Sequence, residues 1–191
     1  YLRKKINLFL QIGSSMEYGK TPSPQQEESI SKPTSDYGKA KLLATNYAKK
    51  LFKLHNFPAV VFRLYQIYGP HQDNNRLIPF IIEKCLNNES FPCSSGKQYR
   101  DFLFIDDFTK CIKKSLNNKK IIGKVFNIGY GRPEKVKKVI VSINKKIKKG
   151  YADFGKIKLK KGESKIVFPK IDKIKKTLNW KAKIYLDEGI E

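Results

Sequence analysis

Apolar and polar positions alternate along this chain in blocks that switch between strand-like and helix-like spacing. Ile6-Asn7-Leu8-Phe9-Leu10-Gln11-Ile12 is a nearly continuous apolar run closed by Gly13, the pattern of a strand buried on both faces, although a buried helix segment has the same pattern. From Tyr37 to about His55 the apolar positions Leu42, Leu43, Tyr47, Leu51 and Phe52 recur at helical spacing with lysines on the other face, which predicts an amphipathic helix. Asn56 and Pro58 stop it, and Ala59-Val60-Val61-Phe62-Arg63-Leu64-Tyr65 reads as a second buried strand. Strand, loop, helix and strand make a βαβ unit with a right-handed crossover, so the expected class is α/β with a doubly wound parallel sheet.

The same pattern extends to the end of the chain. A turn at Gly69-Pro70 precedes a helix over Leu77 to Leu86, and Phe91 to Gln98 is irregular or weakly extended. Phe102 to Ile105 is a short strand, with Asp106 or Asp107 placed to cap a helix running to about Leu116. Lys124 to Ile128 is a further strand, and Pro133 suits the first turn of a helix striped by Val136, Val139, Ile140, Ile143 and Ile147. Gly150 to Phe168 is Lys-rich with weak strand patterning, before a short helix over Ile171 to Leu178 and Trp180. The Lys20 to Asp36 loop is rich in Pro, Ser and Gln, and its Glu27 and Glu28 read as solvated.

Composition narrows the function classes. The 191 residues carry a net charge of +23, but the cations are 35 Lys against 5 Arg spread along helices and loops. Forked recognition of bases and phosphates favours Arg, so specific nucleic-acid binding is not expected; an anionic small ligand would still be attracted. No stretch approaches the roughly 20 apolar residues of a membrane span, and residues 1 to 12 lack a signal-peptide cleavage site, so no membrane partner and a cytoplasmic location are expected. Cys85, Cys93 and Cys111 form no CxxC pair and, with only His55 and His71, no metal site; reduced structural thiols are the reading.

The chemistry concentrates between Gly13 and Lys41. Gly13-Ser14-Ser15-Met16-Glu17-Tyr18-Gly19 follows the first strand, and Tyr37-Gly38-Lys39-Ala40-Lys41 opens the first helix. Tyr37 and Lys41 lie one helical turn apart on one face. A fixed ammonium beside a phenol favours the phenolate, so such a pair can move a proton on and off a substrate hydroxyl.

These two motifs, with Arg63-Leu64-Tyr65-Gln66-Ile67-Tyr68-Gly69-Pro70, Tyr99-Arg100-Asp101-Phe102 and Val125-Phe126-Asn127-Ile128-Gly129, occur in the order of the extended short-chain dehydrogenase/reductase family. The chain resembles its nucleotide-sugar epimerase/dehydratase branch nearly end to end, through the Asp172 to Trp180 segment. The resemblance implies a Rossmann-like fold whose cofactor half ends near residue 68. A smaller α/β substrate-binding region follows over 69–191, with 101–118 returning to pack on the first domain. It further implies Tyr37 as catalytic acid/base, Lys41 on the nicotinamide ribose, Ser14 (or Ser15) on the sugar hydroxyl and Gly13 at the cofactor. Gln66 would touch substrate where the family carries Asn, and Arg100 would grip the diphosphate, with an ion pair to Asp101 or Asp107 as its alternative. Arg76 is a secondary phosphate candidate, and Arg63 would pack or orient the loop. NAD or NADP, a nucleotide-diphosphate sugar and a homodimer are implied as cofactor, ligand and partner.

Two departures shape the expectation. Family 4,6-dehydratases carry an acid two positions before the motif Tyr, often after a second acid; Met16 and Ser15 stand there, and Glu17 comes one place later. Epimerisation is therefore preferred, with 4-keto reduction next and dehydration last. No glycine-rich strand-to-helix turn for the cofactor pyrophosphate occurs, since Gly129-Tyr130-Gly131 lacks the third glycine. The family's N-terminal part is thus expected to be missing before Tyr1, leaving a chain inactive alone or one that retains only sugar-nucleotide binding.

Overall fold

The computed structural model describes residues 6–159 and 162–191; the first five residues of the expected cofactor half, and Lys160 and Lys161 of the Lys-rich stretch, lie outside the described residues. Three parallel strands form the central sheet in the order β1 (Phe9–Ser14), β2 (Ala59–Leu64) and β6 (Val125–Ile128). Helix α1 (Asp36–His55) makes the β1 to β2 crossover. Alternate residues of β2 point to opposite faces. Val60 and Phe62 join Phe126 and Ile128 in a core completed by Phe108 and Cys111 of α3 (Ile105–Leu116), Ile174 and Leu178 of α5 (Asp172–Leu178), and Trp180. Ala59 and Val61 face α1 through Ala48. Burial on both faces is what an uninterrupted apolar strand requires, and it covers this parallel sheet with helices on either side.

Segments between β2 and β6, together with segments after β6, build a second layer. β3 (Gln66–Tyr68) and β5 (Tyr99–Phe104) run parallel, β7 (Pro133–Lys135) pairs antiparallel with β5, and β9 (Ile166–Val167) pairs with β5. Helices α2 (Leu77–Leu86) and α4 (Val136–Ile147) pack together over Tyr68, Phe91 and Phe102 to make a second core, joined by Leu186 of α6 (Leu186–Gly189). β4 (Ser90–Cys93) and β8 (Tyr151–Phe154) form a parallel pair at its edge. No helix among the described residues is long and apolar enough to cross a membrane. All three cysteines are free thiols.

Several elements differ from the sequence pattern for local reasons. The first strand starts at Phe9, where its ladder with Ala59 begins, and it is not buried on both faces: Phe9 is exposed and Leu10 to Ile12 are part-buried, because β1 lies at the edge of the described three-stranded sheet. Phe91 to Gln98 opens within a regular strand because β8 supplies a partner. Pro133 lies in β7, opposite Asp101, and α4 begins at Val136 without a proline in its first turn. Neither Asp106 nor Asp107 caps α3; the cap position is Phe104, and the Asp107 carboxylate turns to accept from the N–H groups of Lys183 and Ile184 at 2.6 and 2.7 Å. Glu27 is half-buried and accepts the Asn127 N–H at 2.8 Å, so it is not a solvated loop acid; burial raises its carboxyl above the ordinary range. Glu28 is exposed and paired with Lys173. On α1 the buried positions are the small residues Gly38, Thr45 and Ala48, which let the helix sit close to the sheet, while Leu43 and Tyr47 are exposed.

Candidate active site

The site is built where β1 ends and α1 begins. Ser14 closes β1 and opens a single 3-10 turn, Ser15–Glu17, through a capping box. Its Oγ accepts the Met16 N–H at 3.1 Å, and its own N–H donates to Glu17 Oε1 at 2.9 Å. Ser35 caps α1 by accepting the Gly38 N–H at 3.1 Å. A Cβ at Gly38 would stand 2.5 Å from the Met16 carbonyl oxygen, so only glycine lets the first turn of α1 press against the Ser14 turn. That contact brings Tyr37 to the strand end. One turn on, the Lys41 ammonium donates to the Ile12 carbonyl at 3.0 Å and lies 5.6 Å from the Tyr37 ring centroid.

A cleft of about 540 Å³ opens at the C-terminal ends of β1 and β2. This is where ligands of open α/β sheets bind. Gly13, Ser14, Ser15, Met16 and Tyr37 line one wall, and Gln66, Gln72, Arg76, Leu77 and Ile78 another. Of the residues singled out from sequence, Gly13, Ser14, Ser15, Tyr37 and Gln66 are thus brought together, with Lys41 anchored to the lining residue Ile12. Among the described residues that line it there is no aspartate or glutamate, and Arg76 is the cation. Arg76 also occupies the N-cap position of α2, which has no side-chain cap. Pro79 has no N–H, so the unsatisfied donors of that helix start are concentrated at Leu77 and Ile78 on the cleft. The sequence pattern gave no signal for Gln72. It belongs to an irregular loop and is placed by its amide, which donates to the Ile67 carbonyl at 2.7 Å.

Arg100 is not among the lining residues. Its guanidinium donates to the Tyr99 carbonyl at 2.7 Å and pairs with Glu163, rather than with Asp101 or Asp107. Asp101 instead accepts the Tyr130 and Gly131 N–H groups, both at 2.7 Å, and burial pushes its carboxyl up to about 7 against those donors. His71 sits in the loop after β3 with a left-handed backbone and does not line this cleft.

Beneath the cleft lies a buried polar network. Glu17, fully buried, uses Oε2 to accept from Arg63 Nε at 2.8 Å while Oε1 holds Ser14. The Arg63 guanidinium lies 4.5 Å from the Tyr18 ring centroid and donates to Ser31 Oγ at 3.3 Å. The Tyr18 hydroxyl donates to Asn127 Oδ1 at 2.8 Å, and the Asn127 amide donates to the Gln25 carbonyl at 2.9 Å. Burial pushes the Tyr18 phenol up to about 12, with Arg63 opposing it. Glu17 therefore points away from the cleft, which agrees with its position one residue beyond the dehydratase acid.

Comparison with known proteins places this geometry. The model of the NAD dependent epimerase/dehydratase family matches residues 1–129. A CDP-abequose synthase from Salmonella typhimurium is 31% identical over 146 residues, covering 72% of this chain and 48% of that protein. A protein described as a putative UDP-glucose 4-epimerase, from Methanocaldococcus jannaschii, is 31% identical over 173 residues, covering 88% and 55%. The crystal structure of UDP-glucuronic acid 4-epimerase from Bacillus cereus, in complex with UDP-glucuronic acid and NAD, superposes with a TM-score of 0.88 at 28% identity, over 96% of this chain and 59% of that one. The chain spans about half the length of the curated relatives it matches. With the family model covering more than half of its residues and the strand-end motifs assembled on one cleft, this chain belongs to the NAD dependent epimerase/dehydratase family.

Proposed function

We propose that the protein acts in 4-epimerisation of a nucleotide-diphosphate sugar. The observation that carries this reading is the convergence of Ser14 and Tyr37, with Lys41 behind them, on a cleft whose lining, among the described residues, has one cation and no carboxylate. The donor set fits NAD or NADP: Lys41 presents an ammonium at the C-terminal end of β1, where a nicotinamide ribose would be held. Bound cofactor would supply the hydride acceptor and donor for the sugar carbon. Tyr37 would take the proton from the C4 hydroxyl and return it, while Ser14 donates a hydrogen bond to the same oxygen. Arg76 and the N–H groups of Leu77 and Ile78 would hold the diphosphate through charge and the helix N-terminus. The cleft contains no acid to eliminate water, since Met16 occupies that position; this favours epimerisation over 4,6-dehydration. A second copy of the chain covering the exposed Leu43, Tyr47 and Leu54 on α1 belongs to the same reading.

The test is turnover of UDP- and dTDP-hexoses with NAD or NADP by the full-length protein that carries this chain, as wild type and Tyr37→Phe, with folding checked by circular dichroism. A loss of about 10²- to 10⁴-fold in a folded variant is expected. Undiminished turnover would sink the mechanism. Net reduction of a 4-keto sugar with stoichiometric consumption of reduced cofactor would reassign the protein as a reductase.

A further inference from the structure

We infer that the buried Glu17 and Arg63 pair is a positioning device that fixes Ser14 as a hydrogen-bond donor toward ligand oxygen. The inference rests on the nucleotide-sugar reading of the cleft and adds residues that never touch the ligand. A serine hydroxyl has one proton and two lone pairs, and its rotor usually turns to suit its surroundings. Here the hydroxyl is engaged by one contact and the backbone that carries it by another. Ser14 Oγ already accepts the Met16 N–H, so one lone pair is committed while the proton is not. The Ser14 backbone is held in turn by Glu17 Oε1, and Glu17 is held by Arg63 Nε.

Each part of this device is buried. Glu17 is 0% and Arg63 4% exposed, and the guanidinium lies against the Tyr18 ring. Gly13 makes room for it: a Cβ there would stand 2.5 Å from Glu17 Oε1 and displace the carboxylate. Isolated buried ion pairs contribute little net stability, so one joined directly to the strand-end serine has a role in fixing geometry. The ligand group it selects is an oxygen acceptor, such as the carbonyl or ring hydroxyl at the reacting carbon of a sugar.

The experiment has a ligand-free arm and a ligand arm. Amide hydrogen exchange is measured by NMR at Ser14 and Met16 in wild type, Glu17→Gln, Gly13→Ala and Tyr18→Phe. The first two variants are expected to lose about tenfold or more in protection at both amides. Tyr18→Phe, which keeps the ring under Arg63 and removes the hydroxyl that donates to Asn127, leaves them protected. Calorimetry then compares UDP-glucose with UDP-4-deoxyglucose. Glu17→Gln should reduce the preference for the 4-hydroxyl by about three- to tenfold, the size of one hydrogen bond, and Tyr18→Phe should preserve it. If Glu17→Gln does not fold, Gly13→Ala carries both arms, because it moves the carboxylate without removing either charge. Unchanged protection and preference in folded Glu17→Gln or Gly13→Ala would overturn the positioning role. Failure of the wild type to bind any UDP- or dTDP-sugar would instead overturn the reading of the cleft, while the exchange arm still judges the device.

Discussion

Tyr18 and Tyr37 stand on the two sides of one turn, and each has a cation beside its ring. Tyr18 is fully buried, with Arg63 4.5 Å from its ring centroid and its hydroxyl donated to Asn127. Tyr37 is 57% exposed on the cleft wall, with Lys41 5.6 Å from its centroid. Burial decides what each pair can do. Removing a phenolate from water penalises it more than a nearby cation favours it, so the Tyr18 phenol stays protonated and structural. Tyr37 keeps solvent and cleft access, the condition for exchanging a proton with a ligand. Two tyrosines, each beside a cation, are thus separated by burial alone: one is sealed in the scaffold and the other is open to the cleft.

Arg63→Met would break this comparison most severely. It leaves the Glu17 carboxylate buried without its cation, and a loss of about 3–5 kcal/mol in chemical unfolding is expected. Tyr18→Phe should cost about 1 kcal/mol at neutral pH through the lost Asn127 bond. Its pH dependence sharpens the contrast. The Tyr18 phenol is raised from 10.0 to about 12 in the folded chain, so its protonated form is favoured by folding. That contribution is fully present below pH 10 and is lost as pH rises from about 10 through 12, because the unfolded chain then binds fewer protons. Wild type should therefore lose stability more steeply than Tyr18→Phe across this window; parallel curves would contradict it. Tyr37→Phe, the variant expected to abolish turnover, should change stability by no more than about 0.5 kcal/mol, as befits an exposed side chain. Smallest of all, Tyr47→Glu should leave folding unchanged and lower the sedimenting mass of any self-associated form; an unaltered mass would remove α1 as the contact between copies.

Much of the site was legible because its geometry is local. Tyr37 and Lys41 share a helix face by spacing alone, and Ser14 follows a nearly continuous apolar run closed by a glycine, which the structure makes a strand. The role of Gly38 was not legible, since it depends on the Met16 carbonyl across the turn. Leu43 and Tyr47 show the limit of periodicity. Spacing places them on one side of α1, yet the sheet takes the side with Ala48, and the larger residues remain exposed. The pairing of Arg100 with Glu163 was not legible either, because Glu163 comes from a distant loop. Gln72 and the start of α2 reach the cleft only because the second layer folds back over β3.

The sequence by itself determined the parallel α/β class, the strand and helix that meet at the site, and the order of the motifs along them. These follow from hydrophobic period and short-range spacing, which the backbone translates directly into faces. The tertiary structure alone decided that Glu17 turns inward to Arg63 and Ser14, that Tyr18 is sealed while Tyr37 is open, and that Arg76 is the cation among the described residues lining the cleft. Those outcomes depend on which distant groups share a buried volume, and desolvation acts on that volume rather than on neighbours in the chain.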